Sequence, residues 1–399
     1  MHRRPEPMRI TTKWILMASA IVLLAGCGTR VGGWFHKAPD EATAPAALVD
    51  FEPRLSVETL WQRNIGDGER RLGLRMAPTL AGGRVYAADA GGSLFALDAQ
   101  NGQDIWRNET GLRLSSSPGV GGSLVVASSL DGDVVAYDAD GGGERWRARV
   151  SSEVVSMPAV GSGLVVVRSI DGRVFGFDAA DGNRRWVFER TTPALALRGK
   201  SAPLLGQGLV YVGYEDGVVV ALRMQDGLRV WEQRVAEPQG RSEIERLGDI
   251  GGAMQLGVNE IYAASYGGQV MAIQAQNGQP LWATDLQSYA GLALSGRYLL
   301  AGDVDSTLWA LDRTNSSSLW RQEALRNRWV TTPAVQAEHV LVGDSEGYVH
   351  WFDLPTGAPA ARARVGRNPI RGAPQVSLDS IAYILDTHGQ LVAYRVSRL

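Results

Sequence analysis

A repeat with a period near forty residues constrains this chain more than any other feature. Its clearest copy reads Asp131-Gly132-Asp133-Val134-Val135-Ala136-Tyr137-Asp138, followed by Gly142 and Trp146. The pattern is Gly-x-apolar-x-Ala-apolar-Asp-x-x-x-Gly-x-x-x-Trp. The opening glycine recurs as Gly92, Gly132, Gly172, Gly217, Gly268, Gly347 and Gly389, with Ser306 at that place in one copy. The tryptophan recurs as Trp61, Trp106, Trp146, Trp186, Trp231, Trp282 and Trp320, with Ala361 in the eighth position, at spacings of 45, 40, 40, 45, 51, 38 and 41 residues. Short alternating apolar segments at this period are the signature of a β-propeller. In the copy above, strands are predicted over 117–120, 124–128, 134–137 and 145–148. Asp131-Gly132 supplies a two-residue hairpin, because both central residues of a type I′ turn need positive φ. Trp61 precedes the first full copy and the last copy ends before any tryptophan, so the N-terminal strand at 58–63 is predicted to complete the last blade. The expectation is all-β: one eight-bladed propeller of four-stranded antiparallel blades over 57–399. Its tryptophans pack against neighbouring blades, since a ligand site needs one or two rings rather than one per blade. The repeat aspartates read as turn formers.

Residues 1–26 read as an export signal. Arg3, Arg4, Arg9 and Lys13 precede an apolar run from Trp14 to Ala25, too short for a membrane span of about 20 residues. Met8 also opens a complete basic region and is an alternative start. The run ends in Leu24-Ala25-Gly26-Cys27, which resembles a bacterial lipobox, with Cys27 the lipidation site. Gly28 after the cysteine resembles the signal for transfer to the outer membrane, facing the periplasm. Residues 27–56, with Pro39, Pro45, Pro53 and an alanine run, read as a lipidated N-terminus and flexible linker. The membrane is then met through the lipid anchor only.

Cys27 is the sole cysteine of the 399 residues, so the exported chain has no second thiol for a disulfide or a zinc–thiolate site. The formal charge is −2, and removal of residues 1–26, which carry +3, leaves about −5. Nucleic acid, which requires a basic face, is not an expected partner. His339, His350 and His388 are expected in separate blades, and no Gly-x-Ser-x-Gly elbow or Walker loop is present. No catalytic, cofactor or metal residue is assigned. Asp138-Ala139-Asp140-Gly141 lacks the remaining ligands of a calcium loop and reads as a turn.

Function on a rigid scaffold concentrates in loops, and two consecutive repeat intervals are long. The insertions are 191–200 and 238–250, both joining the last strand of one blade to the first of the next, and both expected on the face of the Asp-Gly hairpins. The first carries Leu195 and Leu197 beside Arg198. In the second, Ser242 and Glu245 form a capping box that predicts a short helix. The leucines suit either a satellite core under the loop or an apolar-plus-arginine patch for a protein partner.

The repeat resembles that of the pyrroloquinoline-quinone dehydrogenases, a likeness strong for fold and weak for function. Those enzymes carry a vicinal disulfide that this chain cannot form. A more specific resemblance rests on the lipobox, Leu195-x-Leu197-Arg198-Gly199, Ser242-Glu243-Ile244-x-Arg246-Leu247-x-Asp249 and the run from Val342 to Trp351. Together these resemble the BamB family, lipoprotein subunits of the outer-membrane β-barrel assembly machinery. The resemblance implies a non-enzymatic subunit docked on the periplasmic domains of the barrel subunit BamA, with Leu195, Leu197, Arg198 and Asp249 facing it, alongside other subunits of the machinery. Gly251 stands where the family often has a further acidic residue. Unfolded β-barrel proteins adding strands to blade edges are further expected partners. The rival readings are a quinone-dependent dehydrogenase and a propeller that binds a ligand in its central channel.

Overall fold

The computed structural model describes residues 44–69, 72–193, 195–197, 201–237 and 247–399. Cys27, Arg198 and the helix expected from Ser242 lie outside these residues. The chain divides into two units, Met1–Ala44 and Pro45–Leu399, and the second holds every described strand.

Eight sheets of four antiparallel strands are present among the described residues, and no helix. Blades 1 to 7 span 79–109, 119–149, 159–188, 204–234, 255–285, 292–322 and 334–364. Blade 8 consists of strands within 375–398 closed by Leu55–Asn64, which pairs antiparallel with Gln390–Arg398. The expected closure is therefore present, and it removes two open edges.

Blade 2 shows how the repeat produces this. Its strands are Gly119–Gly121, Leu124–Ser128, Asp133–Asp138 and Glu144–Arg149. Leu124–Ser128 is buried throughout, because both sheet faces meet neighbouring blades, whereas Glu144–Arg149 buries only Trp146 on an otherwise solvent-facing edge. The innermost strands crowd the axis: a Cβ on Gly121 would lie 2.3 Å from the Val160 carbonyl oxygen of blade 3. Asp138 Oδ1 accepts from the amides of Asp140 (3.0 Å) and Gly141 (2.8 Å), which makes the repeat aspartate a turn former.

Each repeat tryptophan closes a joint between blades. Trp106 faces the small Ala96 across its strand pair, donates Nε1–H to the Ala139 carbonyl of blade 2 at 2.9 Å, and lies over Gly142 in that blade's last turn. The same bond recurs from Trp61, Trp146, Trp186, Trp231, Trp282 and Trp320 at 2.8–3.0 Å. Blade 7 exchanges the pair, with Trp351 opposite Ala361. The exchange has a topological cause. Blade 8 is made from both chain ends, so it has no turn between its last two strands for a fourth-strand tryptophan to cover. Trp351 instead donates to Gln336 Oε1 at 2.8 Å and meets Tyr394 of blade 8 edge-on at 5.8 Å.

The flexible-linker expectation extends too far. Ala46 N–H donates to the Arg326 carbonyl, Arg328 Nη1 donates to the Ala46 carbonyl, and Arg362 donates to the Val49 carbonyl while lying 5.2 Å from the Phe51 ring. Residues 45–54 thus form a strap over blade 7, where Leu48 packs into the core and Val49 and Phe51 cover the ground beside Ala361. The histidine expectation is also corrected: His339 and His350 share blade 7. His350 is buried and hydrogen-bonded to Asp344 at 2.9 Å, beside Arg328 at 2.8 Å from the same carboxylate, a structural cluster.

Candidate functional site

The connections between blades and the hairpins between second and third strands share one face, as expected from the sequence. Val150 N–H donates to the Gly132 carbonyl and Val235 N–H to the Gly217 carbonyl, each at 2.8 Å, tying connection to hairpin. Both insertions emerge here.

In the first insertion, Leu195 and Leu197 are each 45% exposed, which a satellite core would not leave. Leu197 N–H donates to Asp249 Oδ1 at 2.7 Å. Asp249 itself does not lie on the surface, where the resemblance puts it. It is fully buried, anchored through its own carbonyl to Tyr266 N–H at 2.9 Å. Burial pushes the Asp249 carboxyl up to about 6, against the Leu197 amide that favours its charged form and with the nearby Glu215 carboxylate adding to the rise.

Beneath the loop lies a charged cluster that was not among the residues expected from sequence. Arg168 pairs through Nη2 with Glu215 Oε1, at side-chain exposures of 2% and 5%. The Tyr214 ring lies 5.0 Å from the Arg168 guanidinium and 5.4 Å from that of Arg190. Arg190 in turn reaches Asp216 at 2.6 Å and Glu232 at 3.2 Å. A signal was available: the residue before each hairpin is Ala88, Ser128, Gly213, Ala264, Gly302, Gly343 or Leu385 in the other copies, and Arg168 alone is charged.

Leu197 also lines a depression of about 400 Å³ with Leu72, Leu74, Leu130, Val155, Arg113 and Glu153. Beside it, Arg75 of the connection from blade 8 to blade 1 reaches the connection from blade 5 to blade 6. Its Nη1 donates to the Tyr289 carbonyl at 3.1 Å and its guanidinium lies 4.6 Å from that ring. Among the described residues no group of three or more His, Cys, Asp or Glu side chains could hold a metal ion.

A family model described as outer membrane protein assembly factor BamB matches residues 54–118 and 90–322. The chain is 41% identical over 396 residues to the outer membrane protein assembly factor BamB of Xanthomonas campestris pv. campestris, covering 96% of this chain and 97% of that one. The chain belongs to the BamB family. It is also similar to the BamB of Pseudomonas aeruginosa, 42% identical over 352 residues covering 88% of this chain and 92% of that one. Among solved structures, BamB from Moraxella catarrhalis superposes with a TM-score of 0.78 at 23% identity, covering 85% of this chain and all of that one. A quinohemoprotein alcohol dehydrogenase from Comamonas testosteroni reaches 0.69 at 13% identity over 85% of this chain and 76% of that one. At these identities both likenesses concern fold. For this BamB-family chain they agree with the eight-bladed ring.

Proposed function

We propose that this BamB-family chain is a non-enzymatic scaffold subunit of outer-membrane protein assembly. It is anchored through lipidated Cys27 on the periplasmic side of the outer membrane and docks by its loop face on the periplasmic domains of BamA, within reach of the other subunits. The observation that carries the reading is the pair of half-exposed leucines on a loop held by a buried carboxylate. An apolar pair presented by a rigid scaffold binds with little ordering entropy, because the loop is preorganised by the Leu197–Asp249 hydrogen bond. Full burial of a leucine contributes about 1.5–3 kcal/mol, so the two half-exposed side chains have roughly half that each to gain. The dehydrogenase likeness offers no competing site, since it is one of fold.

The test is a pull-down of the BamA periplasmic domains by the soluble chain, residues 28–399, beside its Leu195→Asp and Arg198→Glu variants. Leu195→Asp is expected to weaken capture by about 100-fold or more, because it buries an unpaired carboxylate in the interface. The melting temperature should be unchanged, because the side chain is half-exposed. Undiminished affinity with Leu195→Asp would remove the loop from the interface, and no capture by the parent chain would remove the scaffold reading.

A further inference from the structure

Nine of the ten described tryptophans donate their indole N–H within the protein; Trp329 does not. It is 64% exposed, on the connection from blade 6 to blade 7, and its φ is +55°. A bulky side chain in the left-handed region is an unfavourable conformation that persists only where its surroundings impose it. Here they do. Arg328 and Val330 on either side are buried, and the Trp329 amide donates to Ser306 Oγ at 2.9 Å. Ser306 is the residue that replaces the repeat glycine in this copy alone, and it keeps a positive φ of +67°. One departure from the repeat thus holds another, and the result is an outward-facing indole.

Trp329 is not isolated on the face. Its ring meets Tyr289 edge-on at 5.9 Å, and the Arg75 guanidinium lies 4.6 Å from the centre of that same Tyr289 ring. Arg75 adjoins Leu74 and Leu72, which share the depression with Leu197. Leu195, Leu197, Leu72, Arg75, Tyr289 and Trp329 therefore form one strip, with Leu74 buried beneath it. The exposed charges around Trp329 are mixed: Arg326 and Asp305 stand with Glu346, which pairs with Arg328, and Arg371 lies 3.9 Å from Glu69.

We infer that the docking surface is this whole strip, that Trp329 is an energetic anchor of it, and that the occupant is an apolar segment of the same protein domain that covers Leu195 and Leu197. The inference rests on the docking reading above and extends it. Tryptophan is enriched among the residues that carry most of an interface's binding energy, and a donor without an intramolecular partner is free to meet an acceptor on the occupant.

Two variants and a cross-linker test it. Trp329→Gly removes the anchor and relieves the left-handed strain, so the melting temperature is expected to hold or rise while affinity for the BamA periplasmic domains falls by about 30-fold, the loss typical of an anchor residue. Trp329→Phe keeps a ring and loses the donor, and an intermediate loss is expected. These opposite movements of stability and affinity separate an anchor from a structural tryptophan, whose removal would lower both. A photoactivatable residue placed at 329, and separately at 195, is expected to cross-link the same polypeptide in cells. A cross-link from 195 with none from 329, or affinity unchanged in Trp329→Gly, overturns the strip and leaves the leucine loop standing. A cross-link from 329 to a different polypeptide, such as an unfolded barrel protein, overturns the shared occupant. Cross-linking of BamA from 329 and not from 195 overturns the leucine loop and, with it, the continuous strip.

Discussion

Arg168→Met is expected to lower the stability of the propeller by about 3–5 kcal/mol and to abolish docking with it. The Arg168 side chain is 2% exposed and its partner Glu215 5%; the pair is made through Glu215 Oε1, and the buried Oε2 accepts no hydrogen bond. Removing the guanidinium strands a carboxylate in the interior, next to the Asp249 carboxyl that holds Leu197. Two neighbouring buried carboxyls without a cation cannot both remain charged, so the loop loses its anchor as well as its support. The double variant Arg168→Met, Glu215→Leu is the discriminating control. Replacing a buried ion pair by apolar groups is often neutral or stabilising, so the melting temperature should recover in the double variant. Docking is expected to recover with it only if the pair serves the loop by neutralisation alone. A melting temperature for Arg168→Met equal to that of the parent chain would refute the argument.

The second large effect concerns pH, and it has opposite signs for stability and for docking. The Asp249 carboxyl is pushed from its ordinary 3.8 to about 6 in the folded chain, chiefly by burial, with Leu197 N–H, Glu215 and Arg168 facing it. A raised carboxyl binds a proton in the folded state that the unfolded chain has already released. Its contribution to stability is therefore favourable at low pH, declines as pH rises through the window from about 4 to about 6, and is a constant penalty above it. A shift of this size corresponds to roughly 3 kcal/mol. Docking runs the other way. The charged carboxylate is the stronger acceptor for the Leu197 amide, so protonation below about pH 6 loosens the loop and weakens capture. Asp249→Asn keeps an acceptor oxygen and removes the titration. The variant should be more stable than the parent at pH 7, with that advantage shrinking towards pH 4, and its docking should not vary with pH across the same window. Parallel pH profiles for the parent and Asp249→Asn, in either measurement, would show that this carboxyl does not titrate as placed.

Much of this architecture was legible because propeller information is local. Each blade repeats the same alternation of buried and exposed residues, so the period alone specified eight units. The offset of Trp61 from the first full copy specified how the ring closes. The two insertions were visible as longer spacings, and the turn role of Asp138 followed from its place before the small residues of a tight turn. The resemblance of Leu195, Leu197 and their surroundings to the BamB family pointed to the same loops.

What the tertiary structure decided lies where residues distant in sequence meet. Ala361 was visible as a missing tryptophan, but only the joint with a blade made from both chain ends explains why Trp351 takes over. The residues from Pro45 to Arg54 have linker composition, yet they form a strap because Arg328 and Arg362 of blade 7 and its preceding connection offer donors to their carbonyls. Asp249 has the composition of a surface acid and is buried because the connection that carries it folds back over Glu215 and Arg168. The contact between Arg75 and Tyr289 joins connections three places apart around the ring, and no spacing in the chain encodes it. Repetition determined the scaffold, since each blade reads its own forty residues. Ring closure determined the face, since it brings together side chains whose burial and charge depend on blades far away along the chain.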